Sequence, residues 1–118
     1  MPASFEIEET QMQEIVGIEV FTQTIQSSSG LHLVECWGSA CAPCLSQKEI
    51  LNRIENHFPQ IGFFTVNVEL ELDIAVHLGV RGLPLLLVFK DGEEIQRWNG
   101  LIPEKDIVES LSQISRQI

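Results

Sequence analysis

The strongest constraint in this chain is a junction. The apolar run Leu31-His32-Leu33-Val34-Glu35-Cys36-Trp37 gives way to Cys41-Ala42-Pro43-Cys44. The run is continuous rather than alternating, the pattern of a strand whose sheet is covered by helices on both faces. Beyond it Cys44, Leu51, Ile54 and Phe58, with Ile50 beside them, recur at helical spacing. That spacing predicts a helix over 42–58, with Pro59 as its stop. Pro43 falls in the first turn, where a missing N–H loses no hydrogen bond. Two thiols therefore sit where a strand hands over to a helix. A helix N-terminus carries partial positive charge and unpaired N–H groups, which favour a thiolate on the first cysteine. The second lies about one turn further on, within reach of a mixed disulfide formed by the first. The pattern points to reversible disulfide chemistry. Its bland alternatives are a buried structural pair and half of a zinc site. Zinc takes about four ligands, and the chain has neither a second C-x-x-C nor an H-x-x-x-H.

Upstream, Ile15-Val16-Gly17-Ile18 reads as a first strand and 19–26 as a short helix, closed by Ser27-Ser28-Ser29-Gly30. Downstream, 61–68 reads as a strand and 70–78 as a helix. The β-α-β-α-β-α order implies parallel pairing through right-handed crossovers. Pro84 to Phe89 is then a strand, Lys90-Asp91-Gly92 a tight turn and 93–98 its hairpin partner. Pro103 opens a last helix whose buried stripe is Ile107, Leu111, Ile114 and Ile118. The expected fold class is α/β, a central mixed β-sheet with helices on both faces. Residues 1–11 read as an acidic extension, with Phe5 and Ile7 free to touch the domain or a partner, and residues 12–118 as one domain.

Composition narrows the function. A formal charge of −10, with no Lys/Arg cluster, repels phosphates and argues against a nucleic-acid partner. The longest uncharged apolar run, Gly82 to Phe89, is too short to cross a bilayer, so no membrane role is expected. The N-terminus lacks the basic and apolar regions of a secretory signal, which makes a cytoplasmic, reducing location the expectation. Three cysteines in such a compartment favour a catalytic or metal role over a disulfide framework. Cys36, on a buried strand, reads as a small inert hydrophobe. His32, His57 and His77 are scattered and read as surface or core fillers. Glu35 is the anomaly of its strand, a carboxylate among apolar neighbours, and a buried functional role is the preferred reading. The acidic stretch Glu69-Leu70-Glu71-Leu72-Asp73 reads as a solvated helix start.

Taken together, Leu33-Val34-Glu35-Cys36-Trp37, Cys41-Ala42-Pro43-Cys44, Gly79-Val80-Arg81-Gly82-Leu83-Pro84, Phe89-Lys90-Asp91-Gly92 and Gly100 resemble the thioredoxin family over roughly residues 12–115. The resemblance implies the thioredoxin fold and reduction of protein disulfides, with no cofactor and no metal beyond the two thiols. It implies that Cys41 is the exposed attacking thiol and Cys44 the buried resolving thiol. Pro84 is implied to be in cis opposite them, exposing the backbone of Leu83 for strand-like docking of an extended peptide. Trp37 matches a tryptophan packed on the active-site loop. Glu35 matches a buried acid, usually aspartate, that exchanges a proton with the resolving cysteine. Ala42, Pro43, Leu83, Gly100 and Leu101 would form an apolar collar facing protein disulfide substrates. A thioredoxin-reductase-type electron donor and a monomeric state are implied as well.

The chain departs from the family pattern at Ala40, where a tryptophan is usual, and at Ala42, where glycine is usual. Leu85 stands for a common threonine, and Thr65 for a lysine that normally sits near the buried acid. Glu35, one methylene longer than aspartate, is therefore expected to lack its countercharge. Trp98 reads either as hairpin packing or as a substitute for the missing tryptophan. Two rival functions remain at this level: a non-catalytic binding or co-chaperone module on the same scaffold, and an oxidant or isomerase.

Overall fold

The computed structural model describes residues 12–117. The extension read at 1–11 and Ile118 of the last helical stripe lie outside the described residues. In chain order the elements are β1 (Gln13–Glu14), α1 (Ile18–Phe21, continued by a π-helical turn Thr22–Gln26) and β2 (Leu31–Trp37). Then come α2 (Ala42–Ile54, followed by a 3-10 turn Glu55–His57), β3 (Ile61–Asn67) and α3 (Leu72–Leu78). The hairpin β4 (Leu85–Lys90) and β5 (Glu93–Asn99) and the helix α4 (Glu104–Arg116) complete the order.

The sheet runs β1-β3-β2-β4-β5, so β2 is central. It pairs in parallel with β3 and antiparallel with β4, while β1 is parallel to β3 and β5 antiparallel to β4. This is the expected mixed sheet. Strand side chains alternate between faces, and β2 feeds a core on each. Leu33 packs with Leu51 and Ile54 of α2, Leu86 of β4 and Ile107 and Leu111 of α4. Val34 and Cys36 pack on the other face with Phe21, Ile25, Ile74 and Leu87. Two covered faces account for the unbroken apolar run.

A single row of residues crosses the sheet at Glu35. Trp98 of β5 lies opposite Leu86 of β4, Leu86 opposite Glu35 of β2, and Glu35 opposite Thr65 of β3. Trp98 packs against the α2/α4 core, so its role is hairpin packing rather than replacement of a missing tryptophan.

Element boundaries differ from the sequence reading in instructive places. The first strand is Gln13–Glu14, not 15–18. Ile15 still donates its N–H to Thr65 at 2.9 Å and is buried, but Val16 is 65% exposed and Gly17 turns the chain at φ 99°. That left-handed φ suits glycine and ends any extended run. The α2 helix stops at Ile54, and Phe58 reaches the core from beyond the 3-10 turn. In α4, Ile107 and Leu111 are buried and Ile114 packs beside them. The hairpin turn places Asp91 at φ 51° and Gly92 at φ 87°. A β-carbon on Gly92 would strike the backbone carbonyl of Gln26, so this turn is closed to any larger residue.

Candidate active site

Cys41 is the N-cap of α2, with extended backbone, and its Sγ accepts the N–H of Cys44 at 3.2 Å. The two sulfurs are bonded to one another, with Cα atoms 5.3 Å apart. Cys41 is half-exposed, whereas Cys44 is 2% exposed and faces the core. One thiol can meet an outside sulfur and the other cannot. Ala42 and Pro43, in the first turn between them, are exposed. The Cys44 N–H and the partial positive charge of this helix end stabilise negative charge on the sulfur of Cys41.

Glu35 is fully buried, and among the described residues neither of its carboxylate oxygens has a hydrogen-bond partner. Thr65 opposite it is also buried, with its hydroxyl equally unpartnered. Burial pushes the Glu35 carboxyl up to about 7, with the positive charge of Lys48 pulling the other way. An apolar site penalises the carboxylate, so the acid holds its proton until neutrality. The β3 position does lack a lysine, but a cation reaches the neighbourhood from α2 instead. Lys48 is one turn past Cys44, and its Nζ stands 4.4 Å from the centroid of the Trp37 ring. Cys36 lies on the far face of β2, and burial and the adjacent Glu35 push its thiol up to about 12, opposed by Arg97. It stays a neutral core residue near pH 7, as the sequence suggested.

The collar residues arrive from two loops. Leu83–Pro84 is a cis peptide bond, and Pro84 is buried while Leu83 is half-buried. Leu83 Cδ1 lies 3.1 Å from where a β-carbon on Gly38 would sit, which places it against the loop leading to Cys41. Gly100 donates its N–H to the Pro84 carbonyl at 2.8 Å, and Leu101 beside it is 47% exposed. Trp37, half-buried at the end of β2, lies under Lys48. The structure thus gathers the predicted collar around one end of the sheet.

Two side chains that sequence reasoning passed over hold this arrangement. Gln47, fully buried on α2, donates to the Ile102 carbonyl at 3.1 Å and accepts the Ile102 N–H at 2.8 Å. It ties the Gly100–Leu101 loop to the redox helix. Its one signal in the sequence was position, a polar residue within the buried stripe of Cys44 and Leu51. Gln47→Leu removes both bonds and strands two backbone groups, so unfolding in urea should show a loss of about 2–3 kcal/mol. Faster amide exchange at Ile102 should accompany it; unchanged stability and exchange would deny Gln47 this role. The second is Glu69, whose carboxylate accepts the Ser39 N–H at 3.1 Å and the Ser39 hydroxyl at 2.8 Å. Glu71 likewise accepts the Gly17 N–H at 2.9 Å. The acidic stretch is therefore partly loop staple, not only a solvated helix start.

Comparison with known proteins agrees with this geometry. The Thioredoxin family model matches residues 12–113. A thioredoxin of Chlamydia muridarum is 30% identical over 101 residues, covering 86% of this chain and 97% of that protein. One from Aspergillus fumigatus is 29% identical over 94 residues, 78% of this chain and 86% of that protein. The crystal structure of a thioredoxin from Malassezia sympodialis superposes with a TM-score of 0.80 at 22% identity, over 89% of this chain and 91% of that one. Since the family match starts at Met12, which is buried in the core, runs well into α4 and takes in both bonded cysteines, this chain belongs to the thioredoxin family and is a thiol–disulfide oxidoreductase.

Proposed function

We propose that this oxidoreductase reduces protein disulfides with Cys41 as attacking thiol, Cys44 as resolving thiol and Glu35 as the group that exchanges a proton with Cys44. The observation that carries this reading is the asymmetry of the bonded pair: Cys41 is half-exposed at the tip of α2, and Cys44 is buried behind it. In the forward direction the Cys41 thiolate attacks one sulfur of a substrate disulfide. That bond breaks, the other substrate sulfur leaves as a thiolate and takes a proton from solvent, and a mixed disulfide forms. Cys44 then gives its proton to the Glu35 carboxylate and attacks Cys41. The mixed bond breaks, the second substrate thiol is released, and two electrons have passed from the dithiol to the substrate. A carboxyl near neutrality suits this work, because it can both accept and return a proton at working pH.

The substrate is an extended segment of a protein. It would lie across Trp37, Ala42 and Pro43, pair with the backbone at Leu83–Pro84 as an added strand, and meet Gly100 and Leu101. The protein works as a monomer in the cytosol, where the thiol pool is reducing, and a reductase-type donor returns the Cys41–Cys44 pair to the dithiol. A non-catalytic binding module has no use for a bonded pair at a helix tip and is not favoured.

Titration of the pair in glutathione buffers, followed by an insulin reduction assay with and without a reductase, tests this reading. A single two-electron couple near the potential of reductants, about −270 mV rather than the −120 mV of strong oxidants, is the expected result. Disulfide reduction that needs a reductase for repeated turnover should accompany it. A potential near the oxidising end would make the protein an oxidant or isomerase.

A further inference from the structure

The resolving step requires a buried carboxyl to lose its proton in an apolar setting. Glu35 has no hydrogen-bond partner among the described residues, and its neighbours across the sheet are Leu86 and Thr65, neither charged. The remaining elements on this face contribute Trp98, Ile107 and Leu111, none of which titrates near neutrality. Cys36 and Arg97 belong to the opposite face, where Arg97 donates to the Leu78 carbonyl at 2.7 Å and pairs with Glu94. On α2, Cys44 and Lys48 remain. Lys48 follows Cys44 by one helical turn, so both project from the same side of α2. The Lys48 side chain is half-buried as a whole, and its ammonium lies 4.4 Å from the Trp37 ring centroid. Trp37 shares the strand face of Glu35, about 7 Å further along β2. The indole therefore seats the ammonium on the side of the sheet that holds the carboxyl.

We propose that Lys48, held over Trp37, is a positioning residue for the resolving step: from α2 it supplies the positive charge that lets Glu35 ionise and take the proton of Cys44. The lysine acts through the carboxylate. The lowering influence of Lys48 on the Glu35 carboxyl has the sign this role requires. Trp37 acquires a second use, as the platform that fixes where the ammonium sits.

The inference rests on the proton-exchange reading of Glu35, and two readouts separate the failure of one from the failure of the other. The first is the carbon-13 NMR titration of the Glu35 carboxyl in the oxidised protein, where neither Cys41 nor Cys44 titrates. The second is the pH profile of the resolving step, measured as release of substrate from a preformed Cys41 mixed disulfide. Lys48→Met keeps the stem and removes the charge. It should raise the Glu35 titration by about one pH unit, tenfold in proton affinity, and shift the resolving profile upward with it. Lys48→Arg should restore both. An unmoved Glu35 titration in Lys48→Met overturns the proposal. A moved titration beside an unmoved profile overturns the role of Glu35 on which it rests.

Discussion

Replacing Glu35 by leucine is expected to make the protein more stable and its resolving step slower, the first of these effects depending on pH. The folded carboxyl titrates at about 7, above its ordinary value of 4.5. Below the ordinary value both folded and unfolded chains hold the proton, so there is no penalty. As pH rises, the unfolded chain releases its proton first and is favoured, until the folded protein also ionises near neutrality. The contribution of Glu35 to wild-type stability therefore falls by about 3 kcal/mol across this window. In Glu35→Leu this contribution should vanish. The variant should gain about 3 kcal/mol more at pH 8 than at pH 4, or roughly 10 °C in Tm. Glu94, held low by its hydrogen bond to Arg97, titrates below the window and Cys36 far above it, while His32, whose imidazole is pushed down by burial, acts with the opposite sign in both proteins and cancels in their difference. Thermal unfolding across pH checks this directly, and equal gains at both ends would show that the carboxyl is not desolvated. The same variant should slow resolution on the order of 10²-fold, the usual share of a positioned base. Stability and rate thus trade against each other at one buried group.

Splitting the two cysteines should divide the reaction at its midpoint. Cys41→Ser leaves a buried thiol that no protein disulfide can reach, and turnover should fall to background. Cys44→Ser keeps the exposed thiol and removes the resolving one. Substrate should then accumulate as a mixed disulfide on Cys41, visible by mass spectrometry and released by added dithiol. Oriented intramolecular groups reach effective concentrations of about 10⁵–10⁸ M, so the lifetime of that species should lengthen on the order of 10³-fold or more. Substrate trapped instead on Cys44 of the Cys41→Ser protein would reverse the assigned roles.

How much of this was legible in the residues depends on the range of the interaction involved. The redox pair was legible because spacing, the proline in the first turn and the preceding strand are local, and local pattern governs how a helix begins. The first strand was misplaced by two residues because Ile15-Val16-Gly17-Ile18 has strand composition. The pairing with β3 and the left-handed Gly17 decide where extension stops, and neither is a property of a short window. Glu35 was suspected from its apolar flanks, yet its lack of a hydrogen-bond partner among the described residues depends on Leu86 and Thr65, neighbours contributed by other strands.

Sequence by itself determined the class of chain and its chemistry: an α/β domain with a dithiol at a strand-to-helix junction, since periodicity and spacing are written along the backbone. Tertiary structure alone decided that Lys48 stands over Trp37, that Gln47 grips Ile102 and that Glu69 holds Ser39. Each of these joins elements separated along the chain or places one charge within reach of another. A long polar side chain has many rotamers, and only the packing of the elements around it selects the one that meets its partner.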